Sequence, residues 1–303
     1  MFFQSLFQWS VATLGVLTLL SCRKNVEQTT SSSLEVAHNE AIAAHKSSDP
    51  TYLKYEDSLQ AYFGDLEIDL IIHYQQQQAQ LKNSDDFAVF FRNTTTLKQS
   101  LVKRLRDYLV EQRNKDKNFV IHPIPWFKEI AKGMEIVVMH DTTYEIFLDY
   151  QVLESIAEKT EGNADDEFIK LMELCYKPHS YLPAWITPVS DFDGCSQLGS
   201  GKHLEALKQI NLTLSHHHLF MREIAKIKNM LMSDLLFKKQ YCESSKKVIE
   251  EIQKIIAEVE LKESEIKMLK GRLQQFSDPK KYNIQFNCSK SNCIYFSEQE
   301  KGV

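Results

Sequence analysis

A chain of 303 residues with 43% hydrophobic and 25% charged side chains has the composition of a globular body rather than a disordered one. A net charge of −5, with no basic stripe carrying interleaved aromatics, argues against nucleic acid as a partner. Only nine Gly and seven Pro leave long stretches without breakers, which predicts a mainly α fold.

Residues 2–21 carry no charged side chain, and Val11 to Leu20 is the most apolar run of the chain. That length suits the core of a signal peptide better than a membrane span, which needs about 20 apolar residues. The run closes on Leu19-Leu20-Ser21-Cys22, which resembles the lipobox of bacterial lipoproteins: an aliphatic residue three before the cysteine and a small residue just before it. The resemblance is confined to these 22 residues. It implies a signal peptide over 1–21 and lipidation of Cys22 as the first mature residue. The chain would then be held by a lipid anchor on the periplasmic or cell-surface side of a bacterial envelope. The segment departs from the pattern in one respect, since no Lys or Arg precedes the apolar run and the first positive charges are Arg23 and Lys24. By the positive-inside rule, the alternative is an uncleaved anchor with a cytoplasmic body. Residues 22–33, including the polar stretch EQTTSSS, read as a tether.

Residues 34–177 read as a helical domain. A short helix is expected over 34–46. Asp49 as N-cap and Pro50 at the first helical position open a helix to Lys82, with Gly64 as a possible kink. The NSDD of residues 83–86 stops and restarts the chain. Leu97, Leu101, Leu105 and Leu109 then form one apolar stripe. Pro125 marks another start, and the spacing of Tyr144, Phe147, Leu148, Val152, Leu153 and Ile156 extends the helical reading. A short helix from Phe168 to Tyr176 follows a break at Glu161 to Asn163.

Residues 178–202 hold three Pro and three Gly and are expected to form the longest irregular loop, a common seat of function. From His203 to Phe276 the only breaker is Gly271. One seam runs through Leu207, Ile210, Leu214, Met221, Ile224, Leu231 and Leu235. A second places Ile252, Val259, Ile266 and Leu273 at one heptad position and Val248, Ile255, Leu269 and Phe276 at the other, with Lys262 the single exception. The seams fall out of register near Lys238 to Lys247. The expected form of 203–276 is therefore a long coiled-coil-like helical hairpin, or a single stuttered helix, burying its seam within the chain or against a protein partner or second copy. In 277–303, Tyr282, Ile284, Phe286 and Cys288 alternate with polar residues, and Cys293 to Phe296 follow a short loop, which reads as a small C-terminal β-hairpin.

The motifs exclude more than they assign. GCSQLGSGKH, Gly194 to His203, approaches a phosphate loop, but His203 stands where the magnesium-binding hydroxyl is required. The DFDG at Asp191 to Gly194 opens like a calcium loop, but Lys202 occupies the position of the bidentate Glu. His216, His217 and His218 point in different directions on a helix and lack a second ligand cluster. No metal, cofactor or catalytic constellation is assigned. If Cys22 is lipidated, five cysteines remain, and Cys288 and Cys293 flank the hairpin loop at disulfide spacing. The function read from the sequence is a lipid-anchored envelope protein acting by binding or as a structural protein. The alternatives are an envelope enzyme using Trp185, Asp191, Asp193 and His203, with its site around 179–203, and the cytoplasm-facing anchored coiled coil.

Overall fold

The computed structural model describes residues 50–189, 194–216 and 218–288. The chain divides into two units at Lys54 and Tyr55. Of the first, the described part is the opening of helix α1, Pro50–Tyr62; the signal segment, the tether and the helix expected over 34–46 lie outside the described residues. The second unit holds everything else.

Phe63 and Gly64 interrupt the helix expected to run to Lys82. Gly64 becomes the N-cap of α2 (Asp65–Ala79), and the Glu67 carboxylate accepts the Gly64 N–H at 3.2 Å. Asn83 starts α3 (Ser84–Lys115), its side chain accepting the Asp86 N–H. Along α3 the stripe Leu97, Leu101, Leu105 and Leu109 is buried, as the spacing predicts.

The next segment corrects the helical reading. After the single turn α4 (Phe127–Ile130), β1 (Met134–Met139) and β2 (Thr143–Leu148) form an antiparallel hairpin in which Ile136 pairs with Ile146. His140 and Asp141 take left-handed backbone conformations to make the turn, closed by the Thr142 N–H donating to the Met139 carbonyl. Helix α5 (Tyr150–Ala157) follows, capped by Asp149, and then α6 (Ala164–Cys175). Asp165 in the first turn of α6 is fully buried, accepting from Ser84 Oγ at 2.7 Å and Thr160 Oγ1 at 2.5 Å. That pairing ties α6 back to the start of α3.

The expected irregular loop contains a small antiparallel pair, β3 (Ile186–Pro188) and β4 (Gly194–Ser196). Beyond it, the expected long hairpin is four separate helices: α7 (Lys202–His216), α8 (Met221–Phe237), α9 (Ser245–Glu258) and α10 (Glu263–Gln275). Helix α7 packs on α8 and α9, and α10 packs on the same two. The seam residues Val248, Ile252, Ile255 and Leu269 are buried in this four-helix ring. The heptad's one exception marks its break, because Lys262 is the N-cap of α10 and Val259 the C-cap of α9. Of the histidine triplet, His216 is the last residue of α7 and His218 is not helical, while His217 lies outside the described residues.

The C-terminal segment has a partner that its local pattern did not announce. Residues 285–288 run parallel to 239–243: the Tyr241 N–H donates to the Gln285 carbonyl and the Cys288 N–H to the Tyr241 carbonyl, both at 2.9 Å. The same 239–243 segment pairs with β4 through Ser196 on its other side. The second strand of the expected hairpin, with Cys293, lies outside the described residues. Phe168 of α6 joins the two halves of the unit, stacking on Phe220 at 4.0 Å between centroids while Phe91 of α3 meets it edge-on.

Candidate functional site

The cysteines meet through the ribbon formed by β4, 239–243 and 285–288. Cys195 on β4 and Cys242 are joined by a disulfide spanning 47 positions of sequence. Cys288 packs in the same apolar cluster with Val189. The expected pairing of Cys288 with Cys293 falls partly outside the described residues, as does Cys22 entirely. Cys175 is a buried thiol on α6, and burial pushes it up to about 12, which makes it unreactive at neutral pH. Sequence reasoning missed Cys195–Cys242 because neither cysteine lies in a periodic element.

The phosphate-loop-like stretch does cradle an anion, and that anion is internal. The backbone N–H groups of Gly199, Gly201 (2.9 Å) and Leu204 (3.1 Å) all donate to the carboxylate of Glu251, a buried residue of α9. The N-terminus of α7 offers unsatisfied donors and a positive dipole end, and the carboxylate satisfies both. Gly199 has φ +101°, and a Cβ there would meet backbone of Lys247 and Val248 at about 3 Å, so glycine is required for this approach. The motif is structural.

Of the residues expected for an enzyme around 179–203, Trp185 and His203 are described. His203 on α7 is fully buried, its Nε2 at 2.8 Å from Asp234 Oδ2 of α8, and Ser196 Oγ donates to the same oxygen. Trp185 lies 6.0 Å from the His203 ring and lines a shallow, open groove with Arg222, Lys226 and the exposed Phe237. Asp191 and Asp193 lie outside the described residues. Ser, His and Asp meet here with the carboxylate at the centre, so the hydroxyl does not face the imidazole as a nucleophile must face its base.

His179 instead lines a second concavity, a cleft of about 650 Å³ walled by β1, β2, α5, α6 and α7. Its floor and sides are aromatic: Phe147 of β2, Tyr150 of α5, and Tyr176 just past α6. Tyr150 and Tyr176 have ring centroids 6.0 Å apart. Four carboxylates reach it, from Glu135, Asp149, Glu173 and Glu205, against Lys170 and His179 as its basic groups. Glu135 is paired with His179 at 2.8 Å, and Asp149 accepts from the Val152 N–H as the α5 cap. Glu173 forms no hydrogen bond or ion pair with any described residue, and burial, then the charges of Glu154 and Asp149, raise its carboxyl above the ordinary range. His179 holds its ring over the cleft from a left-handed backbone, φ 53°, with Phe147 at 5.7 Å. Among the described residues no group of three His, Cys, Asp or Glu side chains is placed to hold a metal ion. Apart from His179, the sequence carried no signal for this cleft, because its walls come from five separate segments with no shared motif. Comparison with protein-family models, curated proteins and solved structures finds no match to the chain.

Proposed function

We propose that this chain is a lipid-anchored binding protein of a bacterial cell envelope, tethered through acylated Cys22, with its helical body on the periplasmic or cell-surface side. The observation that carries the reading is the Cys195–Cys242 disulfide. Disulfides persist in oxidising compartments and are rare in the cytosol, which favours export over the cytoplasm-facing anchor. Among the described residues no helix is long and apolar enough to cross a membrane, so attachment in this reading rests on the N-terminal segment. The heptad seam is buried against the chain's own helices, so the reading moves ligand contact from that seam to the cleft beside Glu173.

Fractionation of cells producing the wild type and Cys22→Ala tests the anchor. The wild type should sediment with membranes and be released by detergent alone. Cys22→Ala should either leave the membrane fraction or accumulate as an unprocessed precursor. A Cys22→Ala protein that is processed and membrane-bound like the wild type would contradict the assignment.

A further inference from the structure

The cleft combines four features that together select a class of ligand. It is concave and of small-molecule size, its walls are aromatic, its carboxylates outnumber its basic groups, and two of those carboxylates, Glu173 and Glu205, form no hydrogen bond or ion pair with any described residue. We propose that the cleft binds a small organic ammonium ion carrying an apolar group, with Glu173 as its principal counter-ion and Phe147, Tyr150 and Tyr176 enclosing the apolar part. The proposal rests on the reading of this body as a binding module and adds the chemistry of what it binds.

Three observations decide between this and other occupants. An anion would face Glu135, Asp149, Glu173 and Glu205 with Lys170 as the one permanent cation of the lining. A hard divalent metal wants several oxygens converging on a point, and no such group of ligands exists among the described residues. An ammonium ion needs one or two carboxylates and gains from ring faces. Phe147 already serves that way on the protein's own charge, since Lys98 Nζ lies 5.8 Å from its ring centroid. Glu173 is the carboxylate left for the ligand, because Glu135 is engaged by His179, Asp149 caps α5, and Glu205 lies within the field of Lys202. An incoming cation also offsets the charges of Glu154 and Asp149 that oppose ionisation of Glu173.

The arrangement carries a signature that a purely structural carboxylate lacks. A carboxyl raised by folding favours the protonated form, so its contribution to stability falls as pH rises past the ordinary carboxylate range. Glu173→Gln should therefore melt no lower than the wild type at neutral pH, and at a higher temperature if the raised acid is the dominant effect, while losing ligand.

Calorimetry on the oxidised full-length protein in detergent tests this with three probes of one shape and different charge: phenethylammonium, 2-phenylethanol and 3-phenylpropionate. The ammonium should bind most tightly, and Glu173→Gln should weaken it by about tenfold or more. Glu205→Gln, on a different helix, should weaken it less, and Glu263→Gln, exposed in the first turn of α10, should not change it. Preferential binding of the alcohol or the acid would overturn the ligand class while leaving a binding module. Amine affinity unchanged in both Glu173→Gln and Glu205→Gln would overturn the site. Calcium chloride giving stronger binding than the amine would also overturn the class. Failure of the lipid anchor would appear in fractionation and not in calorimetry, so the two are separable.

Discussion

Replacing Glu251 with Ala is expected to cost about 3 kcal/mol of unfolding free energy, because it strips a charged acceptor from three part-buried backbone donors at once. The N–H groups of Gly199, Gly201 and Leu204 converge on this one carboxylate at the start of α7. Without it they face a helix terminus with no partner, and the favourable charge at the positive end of the α7 dipole is lost as well. Glu251→Gln keeps an amide oxygen but turns an NH2 group towards donors, and should cost about half as much. Urea unfolding followed by circular dichroism would read both. A loss within experimental error of zero for Glu251→Ala would show that solvent reaches these N–H groups and that the anchor is not needed.

Opening the Cys195–Cys242 bond should destabilise the fold by a similar amount. The bond closes a loop of 47 positions, for which the chain-entropy relation gives about 4 kcal/mol. Cys195→Ala and Cys242→Ala should each produce most of this loss, and the double variant should lose little more than either alone, since each single change already removes the whole interaction. Reductant should reproduce the effect in the wild type and leave both variants unmoved. Additive losses would mean that the two side chains contribute as packed sulfurs rather than as a bond.

The helices were legible where a local signal acted alone. Pro50 opened α1, Asn83 capped α3, and the leucines of α3 were buried at the spacing the stripe required. The β1–β2 hairpin was illegible because Tyr144, Phe147 and Leu148 suit a helical face as well as a strand, and its turn uses His140 and Asp141 where glycine or asparagine would have advertised it. The long run after His203 lacks Gly and Pro at its breaks, so periodicity carried the reading across them. Lys262 was the visible discord, and it proved to be a helix cap. Strand 285–288 and the disulfide are tertiary facts: residues 239–243 recruit β4 on one side and the C-terminal strand on the other, and no local pattern names either partner. The cleft is the extreme case, assembled from β1, β2, α5, α6 and α7 with each contributing one to three side chains.

The proposed tether at Cys22 and the oxidised Cys195–Cys242 pair can both be read from one sample. Protein extracted from its native membrane would be alkylated before any reduction, digested and weighed. The result expected is an N-terminal peptide beginning at acylated Cys22, with Cys195 and Cys242 unlabelled until reductant is added. An intact Met1, together with Cys195 and Cys242 both alkylated in the unreduced protein, would contradict the exported, lipid-anchored reading at both ends.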